Sequence, residues 1–303
     1  MSAIDDPTQS EAHCVGVVKS EVHRFDGTFI EPETDQVVVE EPLEIRVNSE
    51  AFSTLMRTPG DDEDLAVGLL YGEGVIDSRA DIGALSLHGE DALAGGEAAA
   101  APRTDDALLN TADLLHSDPN RNITPPSRQG SSMSSCGVCG KRSISEAMAI
   151  TPPPARKPTL VEPWLSPGLI GLLPGRMEPL QELFQRTGAL HAAGIFDPEG
   201  ELLFLREDIG RHNAVDKTIG AALLEELLPL NRCVLQVSGR VSFEIVQKAY
   251  RAGIPAIVSV SGVSSLSINM ARTIGMTLAG FVRDGKYCLY SRGNCLLNSP
   301  AQG

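Results

Sequence analysis

The chain has 303 residues, 42% of them hydrophobic but only 4% aromatic, so a core of Leu, Ile, Val and Ala can be built in one large or two ordinary domains. The formal net charge of −15 is uneven, with 8 Lys/Arg against 26 Asp/Glu in residues 1–130 and 17 against 14 in residues 131–303. This acidity disfavours non-specific nucleic-acid binding, no apolar run nears the roughly 18–20 residues of a membrane span, and the start MSAIDDPTQSEAH lacks a secretion signal, so a cytoplasmic protein is expected.

Residues 1–14 read as a disordered tail and 15–116 as a small α+β unit. Within it, VVVEEPLEIRVNSEAFSTLMRT alternates like a hairpin turning at Asn48-Ser49. Pro59 and the acidic group Asp61–Asp64 then open a helix that Gly72 or Gly74 stops. GEDALAGGEAAAAPRTDDA is a low-complexity surface insertion with no chemistry. Residues 117–158 read as a flexible loop and linker rich in Pro, Ser, Asn and Gly, carrying SSCGVCGK. After its cysteines, Ser143–Glu146 resembles a capping box.

Residues 159–303 form the second domain. A helix is expected over Met177–Thr187, and AAGIFD and ELLFLRE are strands joined at Pro198–Gly200. DIGRHNAVDKTIGAALLEELL is a loop entering a long helix. CVLQVSG, VSFEIVQKAYRAG, IPAIVSVSG, SSLSINMARTIGMTLAG and FVRDGKYCLYS then alternate strand and helix, which argues for an α/β layer with parallel strands. Gly239 and Gly262 fall at the carboxyl ends of strands, where open α/β sheets place ligands.

Of six cysteines, Cys233 and Cys288 lie in apolar strands and read as buried hydrophobes. Cys136 and Cys139 form the CxxC pair. Structural zinc wants four ligands, and a single CxxC without a metal-spaced His pair supplies too few. A nucleobase-deaminase zinc site wants H-x-E before P-C-x-x-C, whereas His191 here follows the cysteines. A thioredoxin-like dithiol belongs at the start of a βαβ unit, not at the end of a Ser-rich loop. The remaining reading is a mobile thiolate carrier: Lys141, Arg142 and a helix start favour thiolate at Cys136, and the glycines and serines give it reach. No metal is expected.

Further candidates follow downstream. REDIGRHNAVDK packs Arg206, Glu207, Asp208, Arg211, His212, Asn213, Asp216 and Lys217 between a strand and a helix, where Arg211, His212 and backbone amides suit phosphate. Ser238, Arg240 and Ser242 occupy the next strand–helix junction, and Ser261–Ser267 another hydroxyl-rich helix start. Glu244 and Lys248 read as a solvated i, i+4 pair, His191 as structural, and Phe281–Lys286 as a plain hairpin turn.

Taken in order, SSCGVCGK, TGALHAAGIFD, REDIGRHNAVDK, VSGRVSFEIVQKA and FVRDGK resemble the FdhD family of formate dehydrogenase accessory sulfurtransferases, from about Val38 to Ser291. The resemblance implies a cytidine-deaminase-like α/β domain without the catalytic zinc. It implies a persulfide on Cys136, loaded by a cysteine desulfurase; Cys139, close by, suits release of that sulfur as a partner thiol or protection of Cys136 from over-oxidation. It implies delivery to the bis(molybdopterin guanine dinucleotide) molybdenum cofactor before insertion into formate dehydrogenase. The family's cofactor segment maps onto Phe281, Val282, Arg283, Asp284, Gly285 and Lys286, and Arg206, Arg211, His212 and Arg240 join it as expected cofactor contacts. A homodimer is also implied. The chain departs from the family's TGGTH at Thr187–His191, and the insertion around 90–104 is atypical.

Overall fold

The computed structural model describes residues 15–88, 110–121, 123 and 162–298. The tail, the Ala/Gly-rich insertion, the capping box and the cysteine loop with Cys136 and Cys139 lie outside the described residues. Strands β1 (Val17–Phe25) and β2 (Ile30–Val38) form a separate two-stranded ribbon, with Phe25, Phe29 and Ile30 exposed near its tip. Strands β3 (Glu41–Val47), β4 (Glu50–Arg57), β5 (Ile82–His88) and β6 (Asn110–His116) form a four-stranded sheet in the order β4-β3-β6-β5. The β3–β4 hairpin turns at Asn48-Ser49, both at positive φ (52° and 66°), the mirror-image turn that matches strand twist. Helix α1 (Asp62–Gly72) carries Asp62, Glu63 and Asp64 in its first turn.

A six-stranded sheet follows, from β7 (His191–Phe196), β8 (Leu202–Asp208), β9 (Val234–Val237), β10 (Ala256–Ser259), β11 (Thr277–Arg283) and β12 (Lys286–Ser291). Its order is β12-β11-β10-β9-β7-β8. Only β9, β10 and β11 run parallel. The expected parallel layer is thus a mixed sheet, because the tight connections β7–β8 and β11–β12 can only return the chain antiparallel. Helix α4 (Arg211–Leu224) joins β8 to β9, α5 (Phe243–Arg251) joins β9 to β10, and α6 (Ser265–Ile274) joins β10 to β11.

The helix expected over Met177–Thr187 is broken. Helix α2 (Pro167–Met177) ends where that helix was to begin, a 3-10 turn spans Glu178–Leu180, and α3 (Glu182–Thr187) restarts the chain. Pro179 has no N–H to carry one helix through. α2 itself gives a weak signal because Gly168, Gly171, Pro174 and Gly175 lower its propensity. Burial of Ile170, Leu173 and Met177 sets it instead.

Side chains alternate across the central sheet as the period of two requires. Val234, Ala256, Val258, Ala192 and Phe196 face α2, whereas Leu235, Val237, Ile257, Ala193 and Ile195 join a larger core. That core also takes in Leu43 and Ile45 of β3, Leu65, Ala66 and Leu70 of α1, and Val215 and Ile219 of α4. The two sheets therefore share one apolar interior, joined through α1 and α4. Those helices touch backbone to backbone: a Cβ on Gly68 would lie 1.9 Å from the Asp216 carbonyl oxygen, and one on Gly220 1.9 Å from that of Asp64. Among the described residues no helix is long and apolar enough to cross a membrane.

Candidate functional site

The amino end of antiparallel β7 and the carboxyl ends of β8, β9, β10 and β11 meet at one sheet edge. Their loops are stitched together there. Ser259 Oγ donates to Gly239 O (2.8 Å), Val241 N to Gly262 O (3.0 Å) and Phe281 N to Ser261 O (3.0 Å). Gly239 and Gly262 sit where strand-end reasoning put them. A Cβ on Gly262 would come within 3.0 Å of Phe281 Cζ, so the glycine leaves a notch that the ring covers. Phe281 is 56% exposed and holds a positive φ of 52°, which a bulky residue adopts only when its surroundings impose it.

Phe281–Lys286 is the expected hairpin turn, with Asp284 and Gly285 at positive φ (51° and 75°). Val282 is buried under α2, whereas Arg283, Asp284, Gly285 and Lys286 are exposed.

The REDIGRHNAVDK segment is divided between two jobs. Its first part clasps the N-terminal sheet. Arg206 is ion-paired to Asp64 (2.7 Å) and Asp61 (3.4 Å), beside a cleft of about 240 Å³ lined by Pro59, Leu183 and Glu207. Glu207 accepts from the Leu183 and Phe184 amides at the start of α3, and burial raises its carboxyl pKa above the ordinary value. Asp208 is fully buried and accepts from Lys217 Nζ (2.9 Å), the Thr58 amide (3.2 Å), the Gly210 amide (2.8 Å) and Asn213 Nδ2 (2.9 Å). Lys217 and Asn213 also reach across to Thr58 O (2.9 Å) and Met56 O (2.8 Å). The cleft lies beside cations that are already neutralised, unlike those at the strand ends.

There, Arg211 and Arg240 have no carboxylate partner among the described residues, and neither do Arg283 and Lys286. Arg211 Nε is buried with no hydrogen-bond partner. His191, read from sequence as structural, has its half-buried ring beside these two arginines. Its Nδ1 is 3.4 Å from Ser238 Oγ, which accepts from the Ala192 amide (2.9 Å). A single His before an apolar run gives no signal for this, since Arg211 and Arg240 arrive from other elements. Burial, with Arg211 and Arg240, holds the His191 pKa below its ordinary value.

His212 is buried. Its Nε2 meets Ser242 Oγ (2.9 Å), Glu244 lies 3.8 Å away, and Nδ1 has no partner. Burial, then Lys248 and Arg211, push its pKa down to about 4. Lys248 is not the solvated partner of Glu244: it is mostly covered, its side chain 12% exposed, and bonds Asp216 Oδ1 at 2.6 Å. Burial pushes the Asp216 carboxyl up to about 6 against the pull of Lys248. Ser264 caps α6 by accepting from the Ser267 amide (3.1 Å).

A pH prediction follows from His212. A histidine whose folded pKa is depressed adds stability above its unfolded value of about 6.5, and that stability is lost as pH falls toward 4. Asp216, with its raised pKa, titrates in the opposite sense, so wild type must be compared with His212→Gln. Between about pH 7 and pH 5 wild type should lose roughly 2 kcal/mol more than the variant in urea titrations. Parallel pH profiles would show that the ring is not held neutral.

Cys233 and Cys295 are buried thiols, and burial raises the pKa of Cys233 to about 11. Cys288, expected to be buried, is exposed, because it lies on the edge strand β12. Among the described residues no group of three or more His, Cys, Asp or Glu is placed to hold a metal ion.

A family model described as FdhD/NarQ matches residues 38–296. Sulfur carrier protein FdhD of Corynebacterium efficiens is 41% identical over 266 residues, covering 87% of this chain and 91% of that protein. The protein of the same name from Sulfurisphaera tokodaii is 38% identical over 262 residues, covering 86% and 91%. The fold resembles a crystal structure described as that of a formate dehydrogenase accessory protein from Desulfotalea psychrophila, with a TM-score of 0.71 at 21% identity, over 93% of this chain and 99% of that one. The mixed α/β fold is thus shared with that protein. By the extent of the family match and of these relatives, the chain belongs to the FdhD/NarQ family.

Proposed function

We propose that this protein is a sulfur carrier of the cytoplasm that serves formate dehydrogenase. Its Cys136 thiolate attacks the terminal sulfur of a cysteine desulfurase persulfide. The S–S bond of the donor breaks, the donor leaves as thiolate, and Cys136 keeps the sulfur as its own persulfide. Cys139 then attacks Cys136 Sγ, forming a Cys136–Cys139 disulfide and expelling the outer sulfur as hydrosulfide. The acceptor is the bis(molybdopterin guanine dinucleotide) molybdenum cofactor, which acts as substrate. Phe281–Lys286, with Arg211, His212 and Arg240, is where this chain would hold it, in a homodimer whose larger domain is cytidine-deaminase-like.

The observation that carries this reading is electrostatic. In a chain with 40 acidic and 25 basic residues, Arg211, Arg240, Arg283 and Lys286 stand without carboxylate partners among the described residues, all at one sheet edge. Unpaired cations beside an aromatic ring over the Gly262 notch suit a polyanionic ligand with flat heterocycles. Arg206, already paired with Asp61 and Asp64, has less to offer such a ligand. The names of the relatives support sulfur carriage.

The test is incubation with a cysteine desulfurase and cysteine, followed by mass spectrometry. Wild type should gain one sulfur at Cys136, and Cys136→Ala should gain none. Equal loading of the variant would sink the carrier role. Active formate dehydrogenase from cells carrying only Cys136→Ala would favour a cofactor chaperone without sulfur chemistry. Disulfide reductase turnover with no sulfur gained at Cys136 would favour a dithiol oxidoreductase.

A further inference from the structure

We propose that Arg211, Arg240 and the His191 ring form a phosphoryl-binding site, and that His191 takes up a proton when a pyrophosphate group, with at least two negative charges, enters it. The three side chains come from different elements: β7, the first turn of α4, and the loop after β9. Gly239 lets Arg211 and His191 approach each other, since a Cβ there would lie 3.2 Å from both Arg211 Cβ and His191 Nδ1, and the exposed Arg240 follows that glycine directly, its charge felt at the His191 ring. α4 begins at Arg211 with no side-chain cap, so its positive end lies at the same place. Two guanidiniums and an imidazole offer more donors than a carboxylate ligand accepts, and they suit a tetrahedral oxyanion.

Among the described residues, four charged or titratable groups face His191: Arg211, Arg240, His212 and Asp208. Asp208 cannot neutralise the arginines, because Lys217 and three other donors already hold it. Glu244 sits on the far side, against His212. Burial, with Arg211 and Arg240, holds the His191 pKa below its ordinary value. A dianion between the guanidiniums reverses the sign of the field at the ring and draws a proton onto it. Nδ1 faces Ser238, which leaves Nε2 as the atom that meets the anion.

The assignment rests on the proposed function only for the natural ligand, whose dinucleotide arms carry the phosphates. The probe is inorganic pyrophosphate, titrated calorimetrically into the full-length protein at about pH 7 in two buffers of different ionisation heat. Arg240→Gln and Arg211→Gln should each weaken binding about tenfold or more. Arg232→Gln, which removes an exposed cation at the other end of β9, should change it by less than about twofold. The probe's own ionisation near pH 7 contributes equally to both proteins, so wild type should take up more protons per pyrophosphate bound than His191→Gln, read as a difference in buffer-dependent heat. The proposal is overturned if wild type fails to bind pyrophosphate, if Arg232→Gln weakens binding as much as Arg240→Gln, or if the number of protons taken up is the same in wild type and His191→Gln. Because the probe carries no sulfur, failure of Cys136 loading leaves this titration intact, and the reverse also holds.

Discussion

Gly220→Ala should destabilise the protein by about 3 kcal/mol or more, although alanine is the better helix former. Intrinsic propensity alone favours alanine inside a helix by about 1 kcal/mol. At Gly220 that gain is outweighed, because the new Cβ would sit 1.9 Å from Asp64 O and 2.8 Å from Gly68 N. Both are backbone atoms of α1, so no rotamer change relieves the contact. α1 and α4 must separate by more than an ångström, which loosens Leu65, Ala66 and Leu70 against Val215 and Ile219. Overpacking of this kind typically costs about 1–3 kcal/mol, and a helix pair with no slack belongs at the top of that range. Gly175→Ala in α2 is the control, since nothing lies within 4 Å of its Cβ position. It should stabilise by about 0.5–1 kcal/mol in the same urea titrations. Equal stability of the two variants would show that the α1–α4 contact has slack.

Asp208→Ala should cost about 3–5 kcal/mol, as expected when one partner of a buried ion pair is removed. Asp208 is 0% and Lys217 1% exposed, so the ammonium left behind cannot reach water. The Thr58 and Gly210 amides and Asn213 Nδ2 lose their shared acceptor as well. Lys217 retains Thr58 O and Glu207 O, which limits the damage. The double variant Asp208→Ala with Lys217→Met should lose less than the sum of the single losses, because no uncompensated charge remains. A loss below about 1 kcal/mol in the single variant, by denaturant unfolding, would mean that the pair is solvated.

Much of the second half of the fold was legible in the residues. Apolar strands alternate with helices, glycines follow β9 and β10, and Asp284-Gly285 marks a two-residue turn. The mixed direction of the sheet was less evident, since a buried strand has the same composition whichever way it runs. The site was legible as a collection of polar residues but not in its division of labour. Asp208, Asn213 and Lys217 turn inward to Met56 and Thr58, some 150 positions earlier, and no local spacing records that. Lys248 lies four residues from Glu244, yet it bonds Asp216 from another helix, where burial strengthens the attraction. His191 needed Arg211 and Arg240 beside it before its ring meant anything.

The α1–α4 contact also has a consequence in time. Asp216 follows Gly68 by about 150 residues. At synthesis rates of about 5–20 residues per second, α1 leaves the ribosome roughly 8–30 s before the helix that covers it. During that interval Leu65, Ala66, Val67 and Leu70, all fully buried in the finished protein, lack the α4 surface that closes over them. Apolar surface left open for that long is the kind that promotes association between unfinished chains, and the exposure ends when α4 emerges.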